Sequence, residues 1–170
     1  MRVPAHICDS YHDYQMKFLL TITYRLSGKR VSFESIISMN HKTGKIDISQ
    51  LNNPPEKHEL ETAKFFANRG KDVVFIRPSN IPNIHTPDII MDGVEWEIKC
   101  PEGKGKRTIE KSLEKGETQS RNIIIDLRWI KIHEKQCISQ IKLNFNTKTK
   151  IKRMFIITKG LRLIELPEKD

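Results

Sequence analysis

The chain has 170 residues, enough for one domain with a modest appendage and a real hydrophobic core. Its formal net charge of +9 favours anionic partners: nucleic acid, an anionic surface or an acidic protein. No apolar run approaches the ~20 residues that span a bilayer, and the opening "MRVPAHICDSYHDY" lacks the basic-then-apolar build of a signal peptide, so no membrane is expected among its partners.

The first 49 residues carry few clear signals. "FLLTITYRL" suits a strand or a helix equally, and "ISMNHKTGKIDIS" suggests two short strands around a "KTGK" turn. His6, Cys8 and His12 lie close together without the fourth group that a zinc site needs, so an accidental cluster is expected. The three cysteines, an odd number without CxxC spacing, suggest free thiols and a reducing site of action. "QLNNPPEKHE" cannot continue a helix or a ladder. It divides the chain into an N-terminal region of unclear structure, 1–56, and a domain over 57–170.

From residue 57 the periodicities are cleaner. "HELETAKFFANRG" predicts an amphipathic helix ended by Gly70, with Leu60, Ala63, Phe66 and Ala67 on its apolar face. "DVVFIRP" predicts a short strand, and "DIIMDGVEWEIK" a hairpin turning at Asp92-Gly93. "RTIEKSLEKG" predicts a helix ended by Gly116, with Thr108 available as its N-cap. "NIIIDLRWI" predicts a strand covered on both faces, residues 133–148 a helix, and "RMFIITKG" with "LRLIEL" a closing hairpin through Gly160. The expected fold is α/β (α+β): a mixed sheet flanked by helices, α-β-β-β-α-β followed by α-β-β.

The hairpin raises a chemical question. Side chains alternate along a strand, so Glu95, Glu97 and Lys99 share one face while Trp96 and Ile98 take the other, Trp96 being expected in the core. A turn at Asp92-Gly93 brings the strand of Asp88 beside that of Glu97. Two convergent carboxylates, Asp88 and Glu97, suit Mg²⁺ or Mn²⁺, hard cations that prefer oxygen ligands. Such an ion acidifies a water and neutralises charge building on a phosphate, and Lys99 would position the water or stabilise the transition state. A surface ion-pair ladder is the plainer alternative.

Pro87-Asp88, eight intervening residues and Glu97-Ile98-Lys99 resemble the PD-(D/E)xK nuclease signature, and the element order from residue 57 resembles that superfamily's core. A longer string, "TPDIIMDGVEWEIKCPEGKGKRTIEKSLEKGETQSRNIIIDLR", with the helix and "FIITKG" strand after it, resembles the C-terminal tRNase domains of contact-dependent growth-inhibition (CdiA) toxins over about residues 57–166. The resemblance implies a toxin that enters a competing bacterium, cuts tRNA in its cytoplasm and is blocked by a cognate immunity protein. Nucleases of this type often add a Glu from the first helix. Glu59, near the edge of the apolar face, fits better than Glu61, although a helix N-terminal acid alone explains it as well.

Other residues group around this site. Lys104, Lys106 and Arg107, in the loop before the helix that starts near Thr108, could clamp backbone phosphates together with free helix N–H groups. Gln119 and Ser120 sit in a turn from which they could orient substrate or water, and turn chemistry explains them nearly as well. Arg128 could hold a phosphate bidentately, whereas His85 is expected to be structural or exposed. Two alternatives remain. A metal-independent RNase of the barnase/EndoU/colicin/RelE type would work with Lys99, Thr108, Gln119 and Arg128, and a non-catalytic basic module would only bind nucleic acid.

Overall fold

The computed structural model describes residues 23–26, 29–32, 43–81 and 84–169, and the chain forms two compact units, 1–41 and 42–170. In the first unit β1 (Thr23–Leu26) and β2 (Lys29–Ser32) pair antiparallel. The chain is therefore strand, not helix, over the "TYRL" of "FLLTITYRL". The His6, Cys8 and His12 cluster and the first of the two strands expected around "KTGK" lie outside the described residues.

The second unit holds a seven-stranded mixed sheet in the order β3-β4-β5-β6-β7-β8-β9. β3 (Ile46–Asp47) runs parallel to β4 (Val73–Phe75). β5 (Ile89–Met91) and β6 (Val94–Lys99) continue antiparallel, β7 (Asn122–Asp126) and β8 (Arg153–Ile157) are parallel to β6, and β9 (Leu163–Leu166) closes antiparallel. Three helices are described: α1 (Lys57–Ala67), α2 (Thr108–Gly116) and α3 (Glu134–Thr147). From residue 57 the order is α-β-β-β-α-β-α-β-β, as the periodicities require. β3 lies before the Asn-Asn-Pro-Pro segment and belongs to the same sheet.

Two cores follow from the alternation of β6 and β7. Trp96, Ile98 and Ile124 pack with Phe65, Phe66 and Ala63 of α1 on one face. Ile123 and Ile125 pack with Ile109 and Leu113 of α2 and Cys137, Ile141 and Phe145 of α3 on the other. Burying such side chains at ~25 cal/mol per Å² is the main force holding the layers together. Trp96 stacks on Phe155 with ring centroids 4.3 Å apart, so it belongs to the core.

Local chemistry explains where elements stop. Asp92 and Gly93 take φ of 52° and 75°, the pair of left-handed residues that a type I′ turn needs, and Met91 pairs with Val94 across it. β7 ends at Asp126 instead of running on through Trp129-Ile130, because the Asp126 carboxylate accepts the Arg128 N–H at 3.1 Å and turns the chain. Arg107, not Thr108, occupies the cap position of α2. Gly116 packs closely on the core: a Cβ there would meet Ile123 Cδ1 at 2.9 Å, so that side chain would have to shift. In the last hairpin the left-handed residue is Leu161, with φ 57°, rather than Gly160. The buried face of α1 includes Thr62 and Phe65, while Leu60 is only half-buried.

Candidate active site

Ile89 pairs with Trp96, and one step further in the same register sets Asp88 opposite Glu97. The Asp88 N–H donates to the Trp96 carbonyl at 3.1 Å, and Asp88 Oδ2 accepts the Ile98 N–H at 2.7 Å. This carboxylate is thus held by the backbone of the neighbouring strand. Glu97 and Lys99 lie on the α2 side of the sheet, in register with Ile123 and Ile125. Lys99 Nζ pairs with Glu97 Oε1 and donates to Gln119 Oε1 at 2.9 Å. Gln119 reaches the site from the turn after α2, whereas Ser120 serves that turn by accepting the Asn122 N–H at 3.1 Å.

The electrostatics are those of crowded acids. Glu97 is 1% exposed, and burial followed by the negative charge of Asp88 pushes its carboxyl up to about 7 against the pull of Lys99. Burial also raises Asp88, opposed by the Ile98 N–H and Lys99. Glu59 is raised by burial and then by Asp88, which puts its charge within reach of the same site. It also accepts the Glu56 N–H at 3.3 Å and completes a capping box, so it is both a helix-start acid and a neighbour of Asp88. Glu61 pairs instead with Lys64 at 2.9 Å.

The donor set suits a hard divalent cation. Glu97 Oε2 is buried without a hydrogen-bond partner among the described residues, a costly state for an ionised oxygen unless a cation or water meets it. Among the described residues no three His, Cys, Asp or Glu side chains gather to hold a metal, so water and substrate oxygens would complete the shell.

The other candidates differ in exposure and pairing. Lys104 and Lys106 are exposed and make no ion pair among the described residues. Arg107 is exposed and pairs with Glu110 at 2.7 Å. Thr108 is half-buried against Gly103, where an added Cβ would meet its Oγ1 at 2.7 Å. His85 is exposed. Arg128 forks onto the buried Asp126, 2.5 Å from Nη2 to Oδ2, and lies over the Trp129 ring at 4.5 Å. Thr62 donates to Asp126 Oδ2 at 2.8 Å. Cys100, beside Thr62, has its thiol pushed up to about 12 by burial, which disfavours the nucleophilic thiolate.

Sequence reasoning missed two features. One is the buried Thr62–Asp126–Arg128 network, signalled only by an acid closing an apolar strand. The other is a cleft of about 400 Å³ beside Asp88 and Glu59, walled by Leu51–Glu56, Phe75–Pro78, Asn80 and Thr86–Pro87. It is assembled from three separate segments and has no local pattern.

Residues 85–162 match the model of the contact-dependent growth inhibition CdiA C-terminal domain. No curated protein matches the chain. Among solved structures the chain is similar to a CdiA-CT/CdiI toxin and immunity complex from Burkholderia pseudomallei, with 19% identity, a TM-score of 0.54, and 73% of this chain and 99% of that one covered. That likeness is one of fold. Among the described residues no helix is long and apolar enough to cross a membrane. Residues 85–162, the stretch that resembles the CdiA C-terminal domain of contact-dependent growth inhibition, carry Asp88, Glu97, Lys99 and Gln119.

Proposed function

We propose that this chain is the endoribonuclease toxin domain of an interbacterial competition system, cutting tRNA in the cytoplasm of the cell it enters and neutralised by a cognate immunity protein. The observation that carries this is the convergence of Asp88, Glu97 and Lys99, with Glu97 Oε2 buried and unpartnered among the described residues. The similarity to a toxin solved with its immunity protein supports the partner, and the +9 charge supports a polyanionic substrate.

Asp88 and Glu97 would hold Mg²⁺ or Mn²⁺, which when bound supplies an acidified water and neutralises charge on the phosphate. The backbone bond from Ile98 fixes Asp88, and Gln119 fixes the Lys99 ammonium. Lys99 can then stabilise charge developing on a phosphate oxygen with little reorganisation. Glu59 adds a third carboxyl at the edge, suited to orienting a water. Lys104 and Lys106 offer the free charges for the RNA backbone, with the α2 N-terminus and Thr108 behind them. Arg128 and Arg107 are already paired, so phosphate would have to compete with Asp126 or Glu110 for them.

The deciding experiment is incubation of total tRNA with the protein in Mg²⁺ or in EDTA. Cleavage in Mg²⁺ alone is expected. No cleavage in either condition would leave only a binding role. A metal-free RNase also has an observation in its favour, because Lys99 and Gln119 touch and could act on a ribose hydroxyl without an ion.

Binding is tested separately. Reversing Lys104 and Lys106 is expected to weaken tRNA binding and lower the slope of log K against log salt by roughly 0.7–0.9 for each phosphate no longer neutralised. Reversing Arg107, already held by Glu110, is expected to change the slope least. Equal slopes for parent and the double variant would move the RNA path off this loop.

A further inference from the structure

We propose that the cleft beside Asp88 receives one unpaired nucleobase of the RNA, next to the bond that is cut, and so confines cleavage to single-stranded positions. This rests on the endoribonuclease reading and adds to it where the RNA lies and what form it has. Asp88 lines the cleft with Glu59 and pairs across the strands with Glu97, so the nucleotide beside a phosphate held at Asp88 and Glu97 is next to the cleft. The volume, about 400 Å³, is that of a small-molecule site and far too small to hold an RNA duplex.

Charge selects which part of the nucleotide goes in. Three acids, Glu56, Glu59 and Asp88, line the cleft against a single cation, Arg77. A phosphate would be repelled there and would stay with the exposed lysines of the loop after β6. A neutral base brings ring and amino N–H donors that acids and amides accept.

The walls have the matching chemistry. Pro54, Pro55, Pro78 and Pro87, four of the eight prolines in the chain, line the cleft. They make stiff apolar surfaces with no rotamer freedom to lose when a flat ring lies against them. Asn52, Asn53 and Asn80 add amides, each both donor and acceptor, the groups that read the edges of splayed-out bases. The wall is also set in advance: the Leu51 N–H bonds the Ile48 carbonyl at 3.0 Å, and Glu56 starts α1 with its capping box.

The test uses the full chain. The cut in total tRNA is mapped first. A short oligoribonucleotide spanning it is then compared with the same oligonucleotide made abasic on each side of the bond in turn, and with its duplex. The double variant Asn53→Ala/Asn80→Ala is expected to lose about ten- to a hundredfold in kcat/KM on the plain oligonucleotide and to match the parent on one abasic version. The duplex is expected to resist both proteins. Both asparagines are exposed, so the melting temperature should hold. Asn52→Trp, which fills the cleft, gives the same loss by a second route. Full activity of both variants on the plain oligonucleotide, or a duplex cut as fast as the single strand, would overturn the cleft assignment while the endoribonuclease stands. A parent that cuts no RNA overturns both.

Discussion

Asp88→Asn and Lys99→Ala should each lose about a thousandfold or more in RNA cleavage, and EDTA should abolish cleavage by the parent. The products should carry a 5′-phosphate and a 3′-hydroxyl, the ends left when water attacks. The reasoning begins with charge. Asp88 and Glu97 face one another across adjacent strands, and an RNA phosphate is repelled by both unless a cation lies between them. Lys99 alone does not remove that repulsion, because its ammonium is already shared between Glu97 and Gln119. The Asn variant keeps the shape and the Ile98 N–H bond while removing one anionic ligand, so its defect measures ion binding rather than folding. If the 2′-hydroxyl attacked instead, the product would be a 2′,3′-cyclic phosphate, 2′-deoxy substrates would be inert and EDTA would do nothing. Lys99→Ala would then be far worse than Asp88→Asn. A cyclic phosphate formed in EDTA sinks the metal assignment and keeps the ribonuclease.

The part of the site that local chemistry controls was readable from residue order. Asp92-Gly93 marks the tight turn in the sequence, but a bulge would shift the pairing by one residue, so it is the structure that fixes the register placing Asp88 opposite Glu97. The three helices followed from apolar spacing, and strand alternation put Trp96 opposite Glu97 and Lys99. What escaped depends on partners distant in sequence. Thr62 is buried because it bonds Asp126, 64 residues away, and periodicity assigns a threonine to no face. The same Asp126 ended a strand that its isoleucines alone would have carried further. Arg128 was expected to face phosphate because nothing nearby in sequence marks Asp126 as its partner. The cleft needs β4, the segment before α1 and the residues before β5 folded together, so no window of sequence contains it.

Two buried carboxylate pairs should respond in opposite ways to loss of charge, and urea unfolding in EDTA at pH 5 and pH 8 separates them. Asp126 is 0% exposed and satisfied on every side: the Thr62 hydroxyl at 2.8 Å, the Arg128 N–H at 3.1 Å and the guanidinium at 2.5 Å. Asp126→Ala leaves the Arg128 guanidinium without its acceptor, while the Thr62 hydroxyl keeps the His58 carbonyl at 3.0 Å, and should cost about 3–5 kcal/mol at both pH values. Glu97 is equally buried but has one oxygen without a partner among the described residues and a second acid opposite. Its carboxyl is raised from 4.5 to about 7 in the folded state, so the folded protein binds the proton more tightly than the unfolded chain. The stability this gives is complete below about 4.5 and is lost as pH rises to about 7, up to about 3 kcal/mol. Glu97→Gln removes the charge and keeps the shape. It should match the parent at pH 5 and exceed it at pH 8, although Lys99 then keeps only Gln119 and the nearby Asp88 charge. Strain of this sign is what a site held ready for a cation carries when no cation is bound. If Glu97→Gln proved as destabilising as Asp126→Ala, the Glu97–Lys99 pair would be a structural ion pair and the metal would have to be sought elsewhere.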